Sequence, residues 1–64
     1  MSNEFRRYTV DTYHPVARIC ECHADARTAW RWAWRMARLL QWRAVIYDNR
    51  AFRRYDVTPA GVAA

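Results

Sequence analysis

The chain has 64 residues, of which 53% are hydrophobic and 16% aromatic, and its net charge is +5. A chain of this length forms one domain at most, and its apolar and aromatic content excludes an intrinsically disordered protein. The positive charge favours anionic partners. All eleven basic residues are arginine. Composition alone does not separate a coding bias from selection for guanidinium groups, which bind phosphate or carboxylate in pairs of hydrogen bonds.

Two strands are predicted before the helical part of the chain, at residues 5–13 and 16–23. Both segments are rich in β-forming residues and lack a helical period. Pro15 indicates a turn between them, because proline fixes φ and lacks an amide donor. A two-residue turn here pairs Asp11 with Arg18, which places opposite charges across the hairpin.

A strongly amphipathic helix is predicted over residues 25–41. At 100° per residue one continuous arc is apolar and is expected to face the core, with Trp34 at its edge. The members of this arc are Ala26, Ala29, Trp30, Ala33, Met36, Ala37 and Leu40. Asp25 is expected to cap the helix N-terminus by accepting from the Thr28 amide. Trp32 and Leu39 fall on the side opposite the core arc.

Four arginines form a second stripe beside the apolar arc of this helix. They are Arg27, Arg31, Arg35 and Arg38. No acidic residue lies four positions away from any of them, and like charges on adjacent helical turns repel each other. A solvated helix face is the simple interpretation. The functional interpretation is a row of guanidinium groups that follows a phosphate backbone or an acidic protein surface.

Two further strands are predicted after the helix, at residues 42–47 and 51–57, with a tight turn at 48–50. This register pairs Arg43 with Asp56. Pro59 is expected to end the last strand and to leave a flexible tail over residues 59–64. The prediction is therefore an α+β fold in β-β-α-β-β order. One amphipathic helix packs on an antiparallel sheet, within a single small domain whose ordered core covers residues 5–58.

Aromatic and arginine side chains are expected on the sheet face that the helix leaves open. Phe5, Val45, Tyr47 and Phe52 lie there by strand alternation, together with Arg7, Arg18, Arg43 and Arg54. Single-stranded nucleic acid binders use such surfaces, but a dimer interface is an equal alternative. The residues predicted to bind a partner are Arg27, Arg31, Arg35, Arg38, Trp32, Trp34, Tyr47, Phe52 and Arg54.

Catalysis and cofactor binding find little support in the sequence. The one glycine, Gly61, excludes a glycine-rich phosphate loop, and no carboxylates are expected to converge. A zinc site is disfavoured, because Cys20 and Cys22 share one strand face while His23 points to the other. The two cysteines are instead expected to be half-buried strand residues. We therefore predict no enzyme, no metal, no cofactor and no small-molecule substrate.

Three hypotheses for function follow. The first is a non-enzymatic basic module that docks on nucleic acid or on a nucleoprotein complex. The second is a protein-binding inhibitor: in size and strand–helix order the chain resembles small α+β proteins of phages and mobile elements, some of which inhibit host defence complexes, as anti-CRISPR proteins do. The third is an obligate homodimer with a structural role. With no targeting segment and no long apolar run, a cytoplasmic location and no membrane partner are expected.

Overall fold

The computed structural model describes residues 6–62, which form one helix and one five-stranded antiparallel sheet. The strands are β1 (Tyr8–Asp11), β2 (Cys20–His23), β3 (Ala44–Asp48), β4 (Arg53–Thr58) and β5 (Gly61–Val62), and the helix is α1 (Ala26–Leu40). The sheet order is β2-β1-β3-β4-β5, and α1 packs on one face. The predicted α+β class and the helix-on-sheet arrangement are confirmed. Residue 5, where the first strand was predicted to begin, lies outside the described residues.

The ends of α1 are fixed by the two capping residues that flank it. The Asp25 carboxylate accepts a hydrogen bond of 2.8 Å from the Thr28 amide, as predicted. At the other end Gln41 adopts the left-handed conformation, with φ 51° and ψ 45°, and its amide donates to the Ala37 carbonyl. Glycine is the usual residue in this position. Here glutamine takes it, which is why the sequence carries no clear signal for the end of the helix.

An alanine seam, formed by Ala29, Ala33 and Ala37, connects α1 to the sheet. All three residues are at most 1% exposed. Opposite them lie sheet residues that are equally buried, among them Val10 and Ile46 at 0% exposure. Because alanine has the smallest apolar side chain, the helix backbone sits close to the sheet. The predicted core arc of the helix is therefore confirmed at its centre.

The β1–β2 hairpin has a register two residues away from the predicted one. Asp11 lies opposite Cys20, not opposite Arg18. The reason is a longer connection than a two-residue turn: the Thr12 amide donates to the Ile19 carbonyl, and the Ile19 amide donates to the Thr12 hydroxyl. Since side chains alternate with a period of two, the shift keeps the residues of β1 and β2 on their predicted faces. The predicted second strand is shorter than expected: residues 16–19 belong to the connection, and Ile19, predicted on the core side, is exposed.

The β3–β4 hairpin shows the same two-residue difference. Asp56 lies opposite Val45, not opposite Arg43. Residues 49–52 form a four-residue turn, because the Asp48 carboxylate accepts hydrogen bonds of 3.1 and 3.2 Å from two amides of the turn. An Asp side chain that bonds to the following backbone in this way mimics a turn and lengthens the loop.

A fifth strand lies within the segment that the sequence predicted to be a loose tail. β5 pairs with the end of β4, with Val62 opposite Val57. The Thr58 hydroxyl donates to the Gly61 carbonyl and accepts from the Gly61 amide. Gly61 has φ 142°, a conformation open to glycine and strained for other residues. The one glycine of the chain therefore returns the backbone onto the sheet.

Enlarging the centre of the alanine seam is expected to destabilise the fold. Ala33→Leu adds three carbons where no space remains, and overpacking of this kind costs about 1–3 kcal/mol of unfolding free energy. Urea denaturation followed by circular dichroism measures the change. Leu39→Ala is the matched control, since Leu39 is 71% exposed on the same helix and its loss should leave the midpoint almost unchanged. Equal midpoints for Ala33→Leu and the wild type would contradict close packing at the seam.

Candidate functional site

The four arginines of α1 lie on the side of the helix that faces solvent. Arg27, Arg31, Arg35 and Arg38, called the α1 arginine row below, are all exposed. At a rise of 1.5 Å per residue the row extends over about 16 Å. The alanine seam on the opposite side of the helix fixes this direction. The four arginines therefore share one exposed surface, as the sequence predicted.

The acidic residues of the described chain are engaged elsewhere. Arg7 pairs with Asp48 at 3.6 Å, Arg18 with Asp11 at 3.0 Å, and Arg54 with Asp56 at 3.0 Å, while Glu21 lies 3.6 Å from His23 and Asp25 caps α1. Within residues 6–62 no acidic side chain forms an ion pair with the α1 arginine row. Among the residues that the structure describes, the row is therefore a concentration of positive charge without a neighbouring negative charge.

Tryptophan side chains border the α1 arginine row on both flanks of the helix. An open groove of ≈ 580 Å³ runs along this surface, and it is lined by three arginines of the row, by Thr28 and by Trp30, Trp32 and Trp34. All three tryptophans are half-buried and pack against the core. Guanidinium groups next to exposed indole edges combine charge with stacking surface.

Trp32 occupies a different position from the predicted one. The helical wheel placed it away from the core, whereas its ring lies 5.8 Å from the His23 ring and packs beside the core cluster. The reason is that at 100° per residue Trp32 lies about 40° from Met36, which is buried at the edge of the apolar arc, and that β2 lies beneath this flank of the helix. On the other flank Trp30 contacts Tyr55 with ring centroids 5.4 Å apart, and Trp34 reaches towards Gly61.

The sheet face away from α1 is not the open aromatic surface that the sequence predicted. Val45, expected to be exposed there, is fully buried. The β1–β2 loop folds back over this face, and the Tyr13 and Tyr47 hydroxyls share a hydrogen bond. Arg54 is occupied by its ion pair with Asp56. Tyr47 and Arg54 therefore have internal partners, and the structure does not bring them together with the α1 arginine row.

Asp11 and Arg18 hold this loop in place. Two hydrogen bonds of 3.2 and 3.0 Å join the guanidinium to the carboxylate. The Arg18 guanidinium also lies 4.7 Å from the centre of the Tyr13 ring. The hydrogen bond from Arg18 is the largest cause that lowers the pKa of Asp11, against the opposing effect of burial. The predicted Asp11–Arg18 pair thus forms although the strand register differs.

Phe52 lies in the β3–β4 turn, not on a strand as predicted. Its side chain is 93% exposed and its φ is 53°. Positive φ in a bulky residue other than glycine is a backbone outlier. The neighbouring Arg50 and Arg53 are exposed as well. Of the residues predicted to bind a partner, Phe52 is the most exposed aromatic, and it lies apart from the sheet face to which the sequence assigned it.

The cysteines are more exposed than the half-buried strand residues expected from the sequence. Cys20 and Cys22 are free thiols on the edge strand β2, and both are exposed. Partial desolvation, followed by the charge of Asp11, raises the pKa of the Cys20 thiol. No group of three or more His, Cys, Asp or Glu side chains is arranged around a common point in the described part of the chain.

Comparisons with protein-family models, with curated protein sequences and with solved structures find no match to this chain. The candidate site therefore stands on its own geometry and charge. Between residues 6 and 62 no helix has the length and apolar character required to cross a bilayer.

Removing the Asp11 carboxylate is expected to lower stability in a pH-dependent way. Asp11→Asn loses charged hydrogen bonds at a buried position, at a cost of about 1–3 kcal/mol at neutral pH. Because the folded-state pKa of Asp11 is lowered, this stabilisation is present above about pH 3.9 and is lost as the pH falls through the lower folded value. The urea midpoints of Asp11→Asn and of the wild type should therefore differ at neutral pH and become equal only at acidic pH.

The control for this prediction is Asp56→Asn. It removes an ion pair of the same type on the same sheet face, but the Asp56 and Arg54 side chains are 31% and 53% exposed. Exposed pairs contribute little to stability. A larger loss from Asp56→Asn than from Asp11→Asn would contradict the role assigned to Asp11.

Proposed function

We propose that this chain is a cytoplasmic, non-enzymatic module that binds nucleic acid, alone or within a nucleoprotein complex, through the α1 arginine row. The observation that carries the proposal is the row itself: four exposed arginines on one helix face, with no ion pair to an acidic residue of the described chain. Such a surface lowers its own electrostatic energy when it neutralises an anionic partner.

The dimensions of the row suit a phosphate backbone. The row, about 16 Å long, covers about five successive phosphates of one strand, which rise by about 3.4 Å each. Guanidinium donates to phosphate oxygens through two parallel hydrogen bonds, and each contact releases condensed counterions. Binding is therefore expected to weaken steeply as salt is added.

The helix face is the better candidate surface than the sheet face. Tyr13 and Arg18 cover the centre of the sheet, and Tyr47 is bonded to Tyr13. A base approaching that face has to displace these contacts. At α1, in contrast, the groove beside Trp30 and Trp34 is open and carries uncompensated charge.

A protein-directed inhibitor of a host complex is the second candidate. The observation that favours it is the combination of half-exposed indoles and arginines in one groove, since tryptophan and arginine are enriched in protein–protein hot spots. Its target would present an acidic patch to the α1 arginine row. Both candidates use the same surface, so the experiment must distinguish the partners.

The test is fluorescence anisotropy with labelled duplex and single-stranded oligonucleotides over a series of salt concentrations. Arg31→Gln is expected to lower the slope of log K against log salt by about 0.9 for a duplex or about 0.7 for a single strand per lost phosphate contact. Arg43→Gln is the matched control. It removes the same charge at an exposed position outside α1 and should leave the slope almost unchanged.

Two outcomes would contradict the nucleic-acid proposal. One is equal slopes for wild type and Arg31→Gln. The other is absence of oligonucleotide binding together with retention of one protein complex from native cells after nuclease treatment and in high salt. The second outcome would instead support the protein-directed inhibitor.

A further inference from the structure

Three residues other than glycine have positive φ within residues 6–62: Tyr13, Gln41 and Phe52. Internal contacts account for two of them. Tyr13 bonds to Tyr47 and stacks with Arg18, and Gln41 closes the end of α1. Phe52 has no such contact, because its side chain is 93% exposed. The end of the four-residue turn requires a left-handed residue, and glycine or asparagine adopts that conformation at lower cost. An exposed phenylalanine in this position points to a role outside the chain.

The turn that carries Phe52 is held rigidly. The Asn49 side chain donates to the Arg6 carbonyl at 2.9 Å and to the Thr9 hydroxyl at 2.8 Å, and its amide donates to the Arg7 carbonyl at 2.8 Å. Asp48 accepts two amides of the turn and pairs with Arg7. The backbone of the turn that carries Phe52 is therefore ordered before any partner arrives, which reduces the backbone entropy lost on binding.

The turn lies at the same end of the domain as the start of α1. Tyr8 pairs with both His23 and Asp48, so the end of β2 and the end of β3 are level across the sheet. Helix α1 starts three residues after His23, with Arg27 in its first turn. Arg50 and Arg53, on either side of Phe52, are exposed at this end. Phe52 is thus flanked by two guanidinium groups and lies at the end of the molecule where the α1 arginine row begins.

We propose that Phe52 is a stacking platform for an unpaired base of a single-stranded nucleic acid, with Arg50 and Arg53 binding the adjacent phosphates. This inference rests on the proposed function and adds a preference for single strands. Bases have an apolar face that stacks on aromatic rings, while their phosphates take guanidinium partners on both sides. In a duplex the bases are already stacked on each other, and a single ring must first unstack them.

The experiment compares variants at one position on single-stranded and duplex oligonucleotides of the same sequence. Phe52→Ala is expected to lower the affinity for the single strand by about 5- to 150-fold, the range for loss of one stacked base, with a smaller loss for the duplex. Phe52→Tyr keeps the ring and is expected to bind like the wild type. Val16→Ala is the matched control, since Val16 is 90% exposed in another loop and should leave affinity unchanged.

A fluorescent base analogue gives a second, direct measurement. An oligonucleotide with 2-aminopurine is expected to be quenched on binding the wild type and Phe52→Tyr, and to regain emission with Phe52→Ala at saturation. Phe52→Asn tests whether folding explains the result, because asparagine tolerates positive φ and should be at least as stable as phenylalanine here. A folded Phe52→Asn variant that binds poorly supports the stacking role.

The outcomes separate this inference from the proposed function. If Arg31→Gln weakens binding and Phe52→Ala does not, the α1 proposal stands and the stacking platform is wrong. If Phe52→Ala weakens single-strand and duplex binding equally, the single-strand preference is wrong. If the wild type binds neither oligonucleotide, both proposals fall.

Discussion

The packing of the alanine seam on the sheet is the constraint on which the other features of this protein depend. Ala29, Ala33 and Ala37 bring the helix close to Val10 and Ile46, and every member of this contact is at most 1% exposed. Such close contact permits only one orientation of the helix about its own axis. The tryptophans on both flanks add contacts to β2 and β4 that oppose rolling. The outward arginines are therefore oriented by the core, and the repulsion between them is offset by apolar burial on the other side of the same helix.

Much of this fold could be predicted from the sequence, because the strongest signals are local. The period of 3.6 and the cap at Asp25 give α1 almost to the residue. Alternation gives the correct sheet faces even though both hairpins are displaced by two residues. The lengths of the two hairpin loops could not be predicted from the sequence. In each hairpin a polar side chain, Thr12 or Asp48, bonds to the loop backbone and extends it. The free-energy difference between a loop closed by such a bond and a tight turn is small, and residue type alone does not determine which of the two forms. The two-residue strand at Gly61 depends likewise on one side-chain contact from Thr58.

The candidate site was predictable in part for the same reason. The α1 arginine row is a property of one helix, so its members stay together whatever the sheet does. The sheet-face residues depend on what covers that face, which is a property of the tertiary structure. Val45 is fully buried on this face, where the Tyr13 amide donates to the Asp11 carboxylate and the Tyr13 hydroxyl bonds to Tyr47. The positive charge on α1 has a separate cause, which is the placement of the described acidic groups. Asp25 caps the helix, Asp48 closes a turn and Asp11 holds the loop. Glu21 and Asp56 lie next to His23 and Arg54. Phe52 is exposed because the turn has four residues, 49–52, whereas the predicted register left only Asn49 and Arg50 between the paired strands.

The choice of arginine at every basic position gives the α1 arginine row a permanence that lysine would not provide. A guanidinium group keeps its charge at every physiological pH, and methylation alters its hydrogen bonding but not its charge. Lysine acetylation, the common way to neutralise a basic surface, has no side-chain target in this sequence, which contains no lysine. Anion binding by this surface, as proposed above, would therefore depend on ionic strength and on competing ligands. Regulation of the proposed binding would then act through guanidinium hydrogen bonding, through the amount of protein or through the partner, and not through lysine acetylation.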